Sequence, residues 1–281
     1  MYKPKSLTSV SGGRTSSYLA LHYPTDYNIF SLVRIEDKAC APKDKKLIQY
    51  VEDKIKMPFI ATAESDLTLY VLQQLEQDLG KEIIWVTGKT FEQLIFERRG
   101  KPNLPNRRMR FCTTEMKLEP IFWWVYLNLF DSEDDFVEMN IGYRADEPSR
   151  SADDFFEFSY MCNNFGERHN NFKTLEWRSC KFPLQKNSIF NIQIKSYFAK
   201  LLKYKFPKES NCTGCFNKDE ITLHNQFIEE PLKMNWFNNM EKKTDLRFNF
   251  YSTLEEIKNK DYGGVSLDMF SDSFTTCNCH D

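Results

Sequence analysis

Short apolar runs rich in β-branched and aromatic residues alternate with helical runs through the first 144 residues, and this alternation constrains the fold more than any other feature. "SLTSV" (6–10), "YNIFSLVRI" (27–35), "MPFIAT" (57–62), "EIIWVTG" (82–88) and "DFVEMNIGYR" (135–144) read as strands. Between them lie a helix from about Thr15, an amphipathic helix over 43–56, a helix over 66–79 with Asp66 as N-cap, a helix from Thr90, and a helix over 115–129. Strands separated by helices predict an α/β fold, a parallel sheet of five or more strands with helices on both faces. The second half loses the alternation. Residues 145–187 read as loop-rich, 188–206 as a helix, and the rest as a cysteine loop followed by more helix. Two parts are therefore expected: an α/β domain over 1–150 and a mainly helical part over 151–281.

A chain of 281 residues is long enough for a full core. With 41% hydrophobic and 28% charged residues it has the balance of an ordinary globular protein. The start, "MYKPKSL", has no apolar signal-peptide core, and the longest nearly apolar run, "IFWWVYLNLF", has ten residues, too few to span a bilayer. A cytoplasmic protein with no membrane partner is expected. Net charge is −2, so no global charge points to nucleic acid. Locally, Arg98–Arg110 carries six basic residues and no acidic one.

The turn between the first strand and the first helix is Ser11-Gly12-Gly13-Arg14-Thr15-Ser16. Glycines let backbone N–H groups approach an anion, and a helix N-terminus adds a favourable dipole. The spacing is neither that of a Walker P-loop nor G-x-G-x-x-G. A tight turn with a Ser/Thr cap is the alternative. The segment resembles the PP-loop "SGG-[KR]-x-S" of the adenine-nucleotide α-hydrolase superfamily, which includes ATP pyrophosphatases, tRNA sulfurtransferases and phosphoadenosine phosphosulfate (PAPS) reductases. The resemblance implies a Rossmann-like PP-loop fold and phosphates cradled on residues 11–16. The ATP-pyrophosphatase version has Asp, a magnesium contact, where this chain has Thr15, which leaves magnesium open at this loop.

Two further segments match in the family's order. "RFCTTEMKLEPI" (110–121) resembles the "CC-x-x-x-K-x-x-P" segment of sulfonucleotide reductases, with Cys112, Lys117 and Pro120 in place and Thr113 where the second cysteine stands. "IGYRADEPSR" (141–150) resembles their "G-x-R…S-x-R" element, and still more the "GIRADEP" signature of PAPS-reductase-like proteins common in phages and mobile elements. The resemblance implies that Lys117, Arg144 and Arg150 meet the anionic end of the nucleotide and neutralise charge there. By itself "RADEPSR" also reads as a polar turn with internal ion pairs.

Eight cysteines are present. Cys212 and Cys215, in "NCTGCF", have C-x-x-C spacing, which suits a redox pair, half a zinc site or a cluster loop. The resemblance implies a 4Fe–4S cluster on Cys112, Cys212 and Cys215, with zinc as the alternative metal. Thr113 leaves a fourth ligand to be found. The end of the chain, "TTCNCHD", offers Cys277 and Cys279, on an arm expected to move about Gly263-Gly264. One of this pair is expected as the fourth ligand, or as a nucleophile like the mobile cysteine of the reductases' "C-G-x-H" end, with Cys279 assigned to the metal and Cys277 to attack; a three-cysteine cluster with one open iron, as in some tRNA sulfurtransferases, is the third alternative. Cys40, Cys162 and Cys180 read as structural, and His22, His169 and His224 have no ligand-like spacing.

Three functions compete. The first is a PAPS-reductase-like enzyme doing sulfur chemistry on an adenine nucleotide, with a thiol reductant protein as partner. The second is an ATP-dependent sulfurtransferase acting on a nucleic acid, which the Arg98–Arg110 loop would steer. The third is a non-catalytic nucleotide-binding module whose cysteines clamp zinc.

Overall fold

The computed structural model describes residues 3–98, 100–151, 160–162 and 174–262. Its centre is a five-stranded, all-parallel sheet. In chain order the elements begin with β1 (Ser6–Ser9), α1 (Arg14–His22), β2 (Tyr27–Ser31), β3 (Arg34–Ile35) and α2 (Lys45–Ile55). They continue with β4 (Ala61–Thr62), α3 (Asp66–Leu79), β5 (Ile83–Val86) and α4 (Phe91–Glu97). A long helical segment follows: α5 (Phe111–Thr113), a π-helical turn (Thr114–Leu118) and α6 (Glu119–Leu129). Then come β6 (Val137–Asn140), β7 (Tyr160–Cys162), β8 (Thr174–Glu176) and β9 (Arg178–Lys181). The chain closes with α7 (Pro183–Lys186), α8 (Asn191–Ala199), α9 (Glu220–Glu229), α10 (Pro231–Thr244) and α11 (Leu254–Asn259).

The sheet order is β5-β2-β1-β6-β9. Strand alternation divides the core between two faces. Leu7, Ile29, Val137 and Met139 pack with Ile121, Phe122 and Val125 of α6. Val10, Phe30, Ile83 and Trp85 face the other way, onto Leu19, Val51, Leu72 and Ile194 of α1, α2, α3 and α8. A third cluster joins Phe91, Leu94, Phe111 and Met116 to Phe216, Trp236, Phe237, Phe248 and Leu254. The helical C-terminal part is thus built against α4, α5 and the π-helical turn of the sheet domain. Among the described residues no helix is long and apolar enough to cross a membrane.

The α/β class stands as expected, but several elements differ. The 27–35 run stops at Ser31, and Arg34–Ile35 turns away to pair antiparallel with Ala61–Thr62. "MPFIAT" therefore supplies no strand of the central sheet. Pro58 lacks the N–H a central strand needs, and the Phe59 N–H donates instead to Glu52 (3.0 Å). The N-cap of α3 is Ser65, whose hydroxyl accepts from Leu67 N, and Asp66 is already inside the helix. The 188–206 helix is confined to Asn191–Ala199. The fifth strand, β9, lies in the stretch read as loop. It carries a buried arginine, Arg178, whose guanidinium sits 3.1 Å from Met139 Sδ, and a charged residue at a core position hides the strand pattern. β9 also carries the sheet past residue 150, so that position does not separate sheet from helices.

Candidate functional site at the sheet switch point

β2 lies on one side of β1 and β6 on the other, so the chain reverses its winding at the carboxyl end of β1. Ligands of open α/β sheets bind at such a point. The loop 11–16 sits there. Gly12 has φ +69°, a left-handed conformation, and a Cβ on it would lie 2.6 Å from Thr68 Cγ2 at the start of α3. Gly13 has ordinary φ (−88°) and is the N-cap of α1 with no side-chain cap. A Cβ on Gly13 would lie 2.6 Å from Ser210 Oγ, so the 206–215 loop lies over the turn. The Ser16 hydroxyl accepts from Ser11 N (3.0 Å), lies 3.1 Å from Ser11 Oγ and donates to Gly13 O (3.3 Å). That hydroxyl, expected on the anion, is turned inward to hold the loop. The start of α1 has no side-chain cap, and a helix N-terminus is the anion-accepting end of a helix. Arg14 is half-buried with its guanidinium 5.3 Å from the Phe206 ring centroid, and burial lowers its pKa from the ordinary value.

The β6 end meets this loop from the other side. Gly142 packs on Thr15 and Ser16, where an added Cβ would make ordinary contacts of 3.4–3.6 Å. Arg144 donates from Nη1 to Thr15 Oγ1 (3.2 Å) and pairs with Asp146 (3.3 Å) and Glu147 (3.2 Å). Arg150 is buried, pairs with Glu147 (2.5 Å), and lies 4.2 Å from the Tyr143 ring centroid. Of the two arginines, Arg144 touches the loop, while Arg150 braces the turn beneath it.

Lys117 lies on the π-helical turn, a widening of the helix common where a side chain is redirected. Ser31 Oγ donates to Met116 O (2.7 Å) and fixes that turn to the end of β2. Lys117 Nζ sits 3.2 Å from Glu64 Oε1, with both side chains buried. The same lysine lines a small cavity with Ser9, Ser11 and Ser31, and a neighbouring apolar cleft with the cysteines.

That cleft is lined by Cys112, Cys212 and Cys215 together, with Thr113, Pro105, Phe237 and Phe248 around them. Three thiols drawn from segments a hundred residues apart in sequence therefore border one cleft. The C-x-x-C turn is closed by Cys215 N donating to Cys212 O (3.1 Å) and anchored by Thr213 N donating to Ala63 O (2.8 Å). Gly214 lies against the Phe237 ring, where a Cβ would collide. Among the described residues no three His, Cys, Asp or Glu side chains form a group that could hold a metal ion. The donor set is nonetheless all sulfur, the chemistry of zinc and iron–sulfur sites. Cys277, Cys279 and His280 lie outside the described residues, as do Gly263-Gly264.

Of the cysteines read as structural, Cys40 and Cys180 are buried, and the side chain of Cys162 lies outside the described residues. Cys40 is buried in the third cluster with its Sγ 3.5 Å from Leu232 O, and burial pushes its thiol up to about 12. Cys180 is buried in β9. Sequence reasoning missed Glu64, Ser210 and Lys233. Lys233 is buried, donates to Glu64 O and lies 2.7 Å from Asp66 Oδ1. Glu64 stands two residues past β4, and a carboxylate so close to an apolar strand end was the one signal available. Within the basic loop, Arg98 pairs with Glu115 and lies over Phe111, whereas Arg107 and Arg108 are exposed. No protein-family model matches the chain, and no curated protein matches it either.

Proposed function

We propose that this chain binds an adenine nucleotide on loop 11–16 and carries out sulfur chemistry beside a thiolate-held metal centre, in the manner of PAPS reductases. The observation that carries the reading is the double position of Lys117. It lines the cavity beside Ser11 and the cleft of Cys112, Cys212 and Cys215 at once. A cation there neutralises charge on a bound anion or on a group leaving it. Arg144, 3.2 Å from Thr15 Oγ1, supplies a second, permanent charge at the loop. A 4Fe–4S cluster on the three thiolates would add redox or electrostatic chemistry. Cys279 is the proposed fourth ligand and Cys277 the proposed nucleophile, with a cytoplasmic thiol protein as reductant.

Metal and acid-labile sulfide are measured after anaerobic purification. Iron with sulfide is expected, and stoichiometric zinc instead supports the clamped binding module. Serine at Cys112, Cys212 or Cys215 should lower the metal content similarly, and full retention in Cys112→Ser would remove it from the centre. Deleting 276–281 separates ligand from nucleophile: loss of metal marks the first, loss of turnover with metal kept marks the second. Calorimetry with PAPS, ATP and AMP tests the loop. Gly13→Val should abolish binding in a folded protein; Ser210→Gly in the same chain relieves the steric contact and keeps the test clean.

A second reading, an ATP-dependent sulfurtransferase on a nucleic acid, is favoured by the exposed Arg107 and Arg108 next to Pro105 at the cysteine cleft. It requires ATP in place of PAPS.

A further inference from the structure

Two tight turns from distant parts of the chain meet beside the cysteine cleft. In the first, Asn106 and Met109 exchange backbone hydrogen bonds (3.1 Å each), and Asn106 Oδ1 accepts from Arg108 N (2.9 Å) and Met109 N (3.0 Å). Arg107, Arg108 and Met109 are held exposed at its tip. In the second, Asn249 Oδ1 accepts from Tyr251 N (2.9 Å) and Ser252 N (3.3 Å). Its tip carries Phe250 and Tyr251, 63% and 75% exposed, with ring centroids 5.2 Å apart. The turns touch where the Arg108 guanidinium lies 5.7 Å from the Phe250 ring centroid. Arg247 reaches Tyr251 O (3.5 Å) on the far side. Each turn is rooted in the cleft wall, through Pro105 and Phe248 respectively. Between Lys242 and Ser252 the only carboxylate is Asp245, and Lys243 and Arg247 are exposed, while Lys242 pairs with Glu255 of α11 (2.8 Å).

Adjacent aromatic rings held this exposed on a backbone fixed by side-chain hydrogen bonds form a contiguous apolar patch, the kind of surface that marks an interaction site. Their neighbours select what covers them. Guanidinium groups flanking open ring faces suit a partner that alternates negative charge with flat π surfaces. A membrane offers charge without flat rings, and an acidic peptide has few of them. Unpaired nucleotides offer both, since any base stacks on an aromatic ring while basic side chains follow the phosphates. In a duplex the bases are already stacked on one another and present only edges.

We propose that Arg107, Arg108, Arg247, Phe250 and Tyr251 form a binding surface for single-stranded nucleic acid at the rim of the cysteine cleft. The proposal deepens the second reading above by naming the surface and the strandedness of the partner. The arginines hold phosphates, and Phe250 and Tyr251 each take a base face.

The test is fluorescence anisotropy with labelled mixed-sequence strands of about 15 nucleotides, the upper range of one such site. The ligands are single strand, matched duplex and polyglutamate of equal charge, titrated between about 50 and 200 mM salt. Tighter binding of single strand than of the other two is expected. Phe250→Ala/Tyr251→Ala should weaken it roughly 5- to 150-fold per base unstacked while leaving the salt slope unchanged. Phe250→Trp/Tyr251→Trp should restore it. Arg107→Ala/Arg108→Ala should lower the salt slope by about 1.4, two phosphates at roughly 0.7 each. Equal affinity for duplex, an aromatic variant that binds like wild type, or tighter binding of polyglutamate would overturn the proposal. Nucleotide calorimetry and metal content play no part in this readout, so its failure is separate from failure of the nucleotide reading.

Discussion

At the scale of single residues, Gly12 is the position where backbone conformation and packing coincide. Its positive φ, and a Thr68 methyl 2.6 Å from where a Cβ would stand, exclude any other residue. Gly12→Ala should cost about 2–5 kcal/mol in urea unfolding, the sum of a left-handed penalty and overpacking. Gly80 is also left-handed but faces open space, so Gly80→Ala should show only the smaller backbone penalty. Lys117 and Glu64 make a second case, with side chains 9% and 0% exposed. Lys117→Met removes the cationic partner 3.2 Å from a buried carboxylate and should destabilise by about 3–5 kcal/mol. Adding Glu64→Gln should recover much of that loss, and a double-mutant cycle measures it. Cys40, with its thiol held protonated to about pH 12, should resist iodoacetamide in the native protein at pH 8 and react only on unfolding. Ser11–Ser16 was legible because a Gly-Gly between a strand and a helix restricts what the backbone can do. Glu64 and Ser210 were not, because their importance comes from neighbours more than fifty residues away.

Among the elements, α11 depends most visibly on one ionised group. Glu255 in its first turn accepts from Lys242 (2.8 Å), Asn238 (2.6 Å) and Asn259 (3.3 Å). These bonds, that from Lys242 first, depress its carboxyl from 4.5 to about 2. A folded value below the unfolded one adds stability that is fully present above about pH 4.5 and is lost as pH falls toward 2. Thermal midpoints of wild type and Glu255→Gln should therefore differ near neutrality and converge on acidification. Strands β5 and β6 and helices α1 to α4 were legible because each buries one face, and β1 and β2 because each is a short apolar or β-branched run between turn residues, buried on both faces. β9 was not, since Arg178 occupies a core position and is paired through Met139 and the sheet edge. The short β3–β4 pair escaped for a different reason, that a two-residue strand has no period to read.

At the scale of the whole molecule, the sheet and the C-terminal helices share the cluster that runs from Val33 and Phe91 to Trp236 and Leu254. A fragment ending at residue 150 lacks β9 and half of that cluster. It should give far-ultraviolet signal without dispersed proton resonances, and a fragment with sharp, dispersed spectra would show the halves to be independent. The basic loop and the 245–252 turn likewise meet only in the complete chain, which is why the arginines stood out in the sequence and their aromatic neighbours did not. The parallel ladder carries a further consequence, for synthesis. Leu7 of β1 pairs with Tyr27 on one side and Met139 on the other. At roughly 5–20 residues per second a ribosome needs on the order of ten seconds between making the first of these strands and the last. Throughout that interval β1 presents a bare edge of Leu7 and Thr8, both destined for the core. The nascent chain should thus be a client of ribosome-associated chaperones until β6 emerges, and slowing translation after β6 has cleared the ribosome should change its solubility far less than slowing it before.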